Sequence, residues 1–220
     1  MLRSCFRYFT YLVVAIGVSV ASANSYDAWF RAIKQDDAAS IEALIRLGFD
    51  PNTPAADGDS GLYIALREPS LKVALALIRS PQTRLDQRNR SDETALMMAA
   101  LKGHAELAQE LIDRGADVNK PGWAPLHYAA TGGHVALIRM LLDAHAYIDA
   151  ESPNGTTPLM MAAHYGTAAA VQALLEAGAD ADVRNQLGLS AQDFALRAQR
   201  KDVAEMIAAH IRRRDARGTW

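Results

Sequence analysis

Apolar residues along this chain fall into pairs of short clusters at helical spacing, divided by a glycine and closed by a polar turn. The clearest pair lies between Asp92 and Asn119, DETALMMAALKGHAELAQELIDRGADVN. Thr94 reads as the N-cap of a short helix through about Lys102, and Gly103 ends it because a residue without Cβ adopts positive φ cheaply. His104 to Arg114 predicts a second helix. Leu107, Leu111 and Ile112 share its buried side, while Glu106, Gln109, Glu110 and Asp113 stay in water. Gly115 caps it. The same pattern returns on both sides: aligned on Thr94, equivalent segments start at residues 27, 60, 94, 124, 157 and 190, at offsets of 33, 34, 30, 33 and 33.

A single helix pair cannot bury its apolar face, so each unit needs its neighbours, and about three units are required before such an array is stable. Six candidate units meet that condition. The alanine pairs Ala99-Ala100, Ala129-Ala130 and Ala162-Ala163 let first helices approach closely. No Pro/Gly/Ser linker interrupts the array, which predicts one elongated domain over residues 24–211, followed by a basic tail, residues 212–220, with Arg212, Arg213, Arg214 and Arg217.

Ala124-Pro125-Leu126-His127-Tyr128-Ala129-Ala130, with Gly133-His134, Leu141-Leu142 and the closing Gly115-Ala116-Asp117-Val118-Asn119 and Gly178-Ala179-Asp180-Ala181-Asp182, resembles the ankyrin repeat. The resemblance covers about residues 25–211. It implies an all-α solenoid of about six stacked helix-turn-helix repeats with short β-hairpin fingers, degenerate at both ends where capping units stand. It also implies that a protein partner binds the concave face, made by finger tips and the exposed ends of first helices. On matching positions those sites are Arg67, Glu68, Leu101, Lys102, Thr131, Gly132, His164 and Tyr165 on helices, and Arg90, Glu93, Trp123, Asn154 and Thr156 on fingers. Trp123 and Tyr165 are the expected anchors, because interface energy concentrates in Trp, Tyr and Arg. Leu101 is expected as an exposed apolar member, and Trp123 as displayed on its finger.

Departures from the pattern carry their own expectations. The first unit, Tyr26 to Leu47, looks like an N-terminal cap, with Trp29, Phe30, Ile33 and Ile41 apolar. In the second unit Pro69 and Pro81 mark helix edges, since proline cannot sit well inside a helix. The loop Lys120-Pro121-Gly122-Trp123 is three residues shorter than the one that follows the fourth unit, so that finger is truncated. His145 replaces a C-cap glycine. The family's supporting Thr and His pair is never complete: Thr94 faces Met97, Thr157 faces Met160, and His127 lacks its threonine because Ala124 is there.

At the N-terminus, Arg3 and Arg7 precede an apolar run from Tyr11 to Val20, and Ala21-Ser22-Ala23 follows. This reads as a secretory signal, residues 1–23, cleaved after Ala23, and hence as a periplasmic or secreted protein; the run is short for a spanning helix. Residues 1–23 hold two of the 23 basic residues and none of the 25 acidic ones, which leaves 21 against 25, a net charge of about −4. That gives no electrostatic case for nucleic acid. Cys5, the only cysteine, leaves with the leader, so a mature chain has neither disulfide nor thiol nucleophile.

The residues offer little for chemistry. Of six histidines, His104, His127 and His134 occupy repeat positions, and no HExxH or CxxC is present. A site assembled across repeats from His134, His164 and an acid stays open as a minor alternative, since zinc needs three or four converging ligands. Asp57, Asp59 and Glu68 echo a calcium loop whose required glycine is here Leu62. No G-x-S-x-G, phosphate loop or dinucleotide fingerprint occurs, and the Met97-Met98 and Met160-Met161 pairs read as packing. The expectation is a non-catalytic, monomeric binding module of the cell envelope without cofactor. Its partner is a protein; the alternatives are a small-ligand or metal carrier, or an immunity-type inhibitor of an exported toxic enzyme.

Overall fold

A computed structural model describes residues 24–217; the expected leader and the last three residues lie outside the described residues. Twelve helices among the described residues form six antiparallel pairs. They are α1 (24–34), α2 (Ala38–Arg46), α3 (Gly61–Arg67), α4 (Leu71–Arg79), α5 (Ala95–Lys102), α6 (Ala105–Asp113), α7 (Pro125–Gly132), α8 (Val135–Asp143), α9 (Pro158–His164), α10 (Ala168–Glu176), α11 (Ala191–Arg197) and α12 (Lys201–Arg217). First helices stack on first helices, α3 on α5, α5 on α7, α7 on α9 and α9 on α11, as an inner row. Second helices α2, α4, α6, α8, α10 and α12 form the outer row in the same order.

The inner row is close because its contact positions are small. Ala65, Ala99, Ala129, Ala162 and Ala195, one per unit, are completely buried. Larger side chains there would drive helices apart against a close-packed interior. Leucines complete the core from both rows: Leu96, Leu111, Leu126, Leu141, Leu159 and Leu174 are also fully buried. At the N-terminal end Trp29 stacks on Phe49, ring centroids 4.7 Å apart, and closes the array as the cap expected there.

Four of the inner helices start on a hydroxyl. Ser60, Thr94, Thr157 and Ser190 accept the backbone N–H of Tyr63, Met97, Met160 and Asp193, satisfying a donor that the helix itself leaves open. The third residue reaches back in turn. The Met97 and Met160 sulfurs accept from the N–H groups of Thr94 and Thr157 at 3.2 and 3.4 Å, and the Asp193 carboxylate from that of Ser190 at 2.8 Å. Ala124 has no hydroxyl, yet its N–H donates to His127 Nδ1 at 3.1 Å. The incomplete Thr and His pair is thus replaced by three kinds of acceptor, sulfur twice, a carboxylate and an imidazole, with sulfur the weakest among them.

A second set of contacts runs along the outer loops. Asn52 bonds the Gln82 carbonyl and the Arg84 N–H, and Asp86 accepts from the Asp117 N–H. Asn119 bonds the His145 carbonyl and the Tyr147 N–H, and Asp149 accepts from the Asp180 N–H. One Asn or Asp per unit therefore holds the next unit's loop. Asp182, at the end of this series, meets Arg214 at 2.6 Å. Helix α12 runs through the basic stretch to Arg217, so Arg214 lies on the last helix and closes the ladder.

Two further expectations meet the structure differently. The fingers are tight turns rather than β-hairpins: among the described residues no strand forms, and only Pro54 and Ser60 make an isolated bridge. Four fingers each close with one bond across the turn, Ala55 to Asp59, Asn89 to Glu93, Ser152 to Thr156 and Asn185 to Leu189. A turn of this length leaves no room for a ladder. The second unit keeps its helices, with Pro69 between α3 and α4 and Pro81 just after α4. His145 takes the positive φ expected of a C-cap, +64°.

Close approach of units is tested at Gly166, where a Cβ would stand 2.3 Å from the Ala130 carbonyl oxygen and 2.9 Å from Ala162 Cα. Gly166→Ala is expected to cost about 2 kcal/mol, read from urea unfolding midpoints. Gly178→Ala, at φ +97° with nothing within 4 Å, is expected to cost about 1 kcal/mol from backbone strain alone. Equal costs would contradict tight inner-row packing.

Candidate protein-binding face

Each unit presents the same positions on the inner face: the residue before the N-cap, and the residues ending the first helix. The former are Asp59, Glu93, Trp123, Thr156 and Leu189. The latter are Arg67-Glu68, Leu101-Lys102, Thr131-Gly132 and His164-Tyr165. Stacking of the inner helices lines these equivalent positions up from unit to unit, with very different exposure.

In the second to fourth units a polar network ties inner positions together. Arg67 pairs with Asp59, lies 3.6 Å from Glu68, and sits over the Tyr63 ring at 5.8 Å. Asn89 donates to Asp59 at 2.9 Å and to Glu93 at 3.1 Å. Glu93 is the hub. Its Oε2 accepts the Tyr63 hydroxyl at 2.5 Å and its Oε1 the Tyr128 hydroxyl at 2.8 Å, so one carboxylate joins three units. Burial pushes the Glu93 carboxyl up, but hydrogen bonds from Tyr63, Asn89 and Tyr128, with Arg67 nearby, hold it below its ordinary value. Burial first, and then bonding to that carboxylate, pushes the Tyr63 and Tyr128 phenols up.

The truncated finger is built around a residue the sequence reading passed over. Lys120 is buried, and its ammonium pairs with Asp92 while donating to the carbonyls of Pro121 at 3.1 Å and Trp123 at 3.4 Å. The short loop is thus pinned to the preceding finger by a charge. A buried lysine is rare unless paired, so a lone Lys in a shortened loop was the available signal.

Trp123, expected as displayed, is half-buried and packs edge-on against His127, centroids 5.1 Å apart. Beneath it His127 is completely buried. Since its Nδ1 accepts from Ala124, its Nε2–H donates to the Thr156 carbonyl at 2.9 Å, linking the fourth unit to the fifth unit's finger. Leu101, expected as exposed, is half-buried against the core because α7 lies beside its helix. Thr156 is buried, and Thr131 spends its hydroxyl on the His127 carbonyl at 2.7 Å.

The remaining expected residues divide between exposed and half-buried places. Lys102 and Asn154 are exposed, and Arg90 reaches the Ala56 carbonyl at 3.0 Å from an exposed position. His164 bonds the Phe194 carbonyl at 3.2 Å and lies between the Tyr165 and Phe194 rings. Tyr165 itself is 62% exposed, a large aromatic ring projecting from a helix end with its inner edge held by His164.

Comparison with known proteins follows this geometry. A family model described as ankyrin repeats matches three times, over residues 29–121, 71–152 and 144–215. The chain belongs to the ankyrin repeat family. Ankyrin repeats generally mediate protein–protein interaction. The chain is 32% identical over 131 residues to a putative palmitoyltransferase ZDHHC13 of Danio rerio, covering 57% of this chain and 20% of that protein. It is 34% identical over 91 residues to ankyrin repeat and SOCS box protein 2 of Bos taurus, covering 41% and 14%. With protein phosphatase 1 regulatory subunit 27 of Mus musculus it shares 32% over 96 residues, covering 42% and 62%. The first two matches take in only a fifth or less of those relatives' length.

Among the described residues no three His, Cys, Asp or Glu side chains converge as a metal would require, and no helix is long and apolar enough to cross a membrane. Several grooves lie between outer helices. A groove of about 610 Å³ between α10 and α12 is lined by Gln172, Leu175, Glu176, Met206, His210, Arg213 and Arg214.

Burial holds the His127 pKa below its ordinary 6.5. The unfolded chain therefore takes up this proton first as pH falls. The residue's contribution to stability is complete above the ordinary value and is lost as pH drops below it. His127→Met, which installs the residue found at Met97 and Met160, is expected to flatten stability between about pH 7.5 and about pH 5.5. Urea midpoints at both pH values check this; parallel losses in the parent and variant would refute it.

Proposed function

We propose that this chain is an exported, non-catalytic ankyrin-repeat module that binds one protein partner across its inner face, centred on the fourth and fifth units. The observation that carries the reading is Tyr165, a 62% exposed aromatic ring on the same face as Trp123 and the polar network around Glu93. An exposed ring with an ordered base supplies large contact area at low entropic cost, which is why such residues dominate interfaces. The network beneath is already ordered by hydrogen bonds within the chain, so the face is preorganised and little ordering opposes binding.

Export rests on the pattern of residues 1–23, two arginines, an apolar run and Ala21-Ser22-Ala23. The protein acts in the cell envelope and is cleaved after Ala23. Intact-mass measurement of the chain recovered from the envelope checks this, a mature N-terminus at Asn24 being expected.

The binding reading is tested by affinity capture of the tagged protein from its own cell envelope, with the Trp123→Ala, Tyr165→Ala double variant as control. One protein retained by the parent and lost by a folded variant is expected. Each anchor is worth on the order of 2 kcal/mol, or about thirtyfold in Kd. Retention of the same protein by both baits would place the interface elsewhere.

A further inference from the structure

The residue before each inner-helix N-cap reads, along the array, Asp59, Glu93, Trp123, Thr156, Leu189: carboxylates in the first two places and uncharged side chains after them. The two carboxylates are held differently. Asp59 is buried and faces Arg67 across an ion pair. Glu93 is half-buried, and its donors are all neutral: the Tyr63 hydroxyl, the Tyr128 hydroxyl and the Asn89 amide. No ion pair to Glu93 forms among the described residues, and Arg67, whose charge reaches it, is committed to Asp59 and Glu68.

A carboxylate has about four acceptor positions. Oε2 receives Tyr63 and Asn89, whereas Oε1 receives Tyr128 alone. The neutral donors fix the group's orientation and favour its charged form without cancelling the charge. Oε1 thus carries one internal hydrogen bond fewer than Oε2, beside the half-buried Tyr128. The next unit along the face begins at Trp123, about 10 Å away by ordinary helix spacing.

We propose that Glu93 receives one cationic side chain, lysine or arginine, of the protein partner, whose apolar side chains lie toward Trp123 and Tyr165. The proposal rests on the inner face being the binding surface and adds the partner's chemistry and direction. A neutral donor could meet Oε1 but would add no counter-charge; an ammonium or guanidinium does both, in a bond about twice as strong. The Tyr128 ring beside it favours a cation further.

The test is selection of a displayed library of short random peptides against the full protein, with parent, Glu93→Gln and the Trp123→Ala, Tyr165→Ala variant as baits. Peptides enriched on the parent are expected to carry lysine or arginine. Their Kd is expected to weaken about tenfold on Glu93→Gln. Changing the peptide's basic residue to Gln should cost the same on the parent and nothing more on Glu93→Gln, since the pair is then already broken.

Enrichment without basic residues, or an unchanged Kd on Glu93→Gln while the double variant loses binding, overturns the cation site and leaves the binding face standing. No enrichment on the parent, or indifference to every variant, overturns both. If Glu93→Gln fails to fold, salt reads the same charge in the parent: affinity for a basic peptide should fall between about 0.05 M and about 0.5 M NaCl, and a salt-insensitive affinity sinks the proposal.

Discussion

Short inner helices packed side by side through buried alanines are the contact on which everything else depends. Ala65, Ala99, Ala129, Ala162 and Ala195 stand at one equivalent place per unit and see no solvent. No unit has an apolar core of its own, so stability is a sum over neighbours rather than a property of any helix pair. The remaining contacts follow from that spacing. Because units repeat at a fixed distance, an Asn or Asp side chain of one unit always finds the loop of the next, from Asn52 through Asp149. His104 and His134 likewise reach back to the carbonyls of Leu66 and Leu101 at the ends of preceding inner helices.

Where the repeat is broken, charge or burial replaces what periodicity would have supplied. The truncated finger lacks the bond that closes the other four, and the buried Lys120 ammonium holds it instead. Ala124 lacks a capping hydroxyl, and His127 compensates by accepting the N–H and carrying a bond on to Thr156. Asp182 is met by Arg214 of α12 rather than by a following loop. These substitutions concentrate around the third to fifth units, the same stretch that presents Trp123 and Tyr165.

Fold, helix positions and repeat register were legible in the sequence because they rest on local signals: hydroxyl N-caps, glycines, and apolar spacing within ten residues. The candidate face was legible as a set of positions, but exposure at those positions was not. Leu101 and Trp123 were expected in solvent and are half-buried: α7 of the next unit lies beside the helix of Leu101, and Trp123 packs onto His127 of its own unit. Glu93 shows the same limit more sharply. As a finger residue it looked like a surface charge, whereas Tyr63 and Tyr128, 30 residues before and 35 after, make it the centre of a network. The fingers, too, shrank from hairpins to turns, because period and composition set loop length but not hydrogen-bond pairing.

The account assigns binding to the inner row and leaves the outer row to solvent. Site-specific photocrosslinking in the living cell separates these most directly, with a benzoylphenylalanine placed in turn at Tyr165 on the inner face and at the exposed Gln109 or Gln172 on outer helices. The account predicts one discrete protein adduct from position 165 and none from positions 109 or 172. Adducts confined to the outer positions would contradict it.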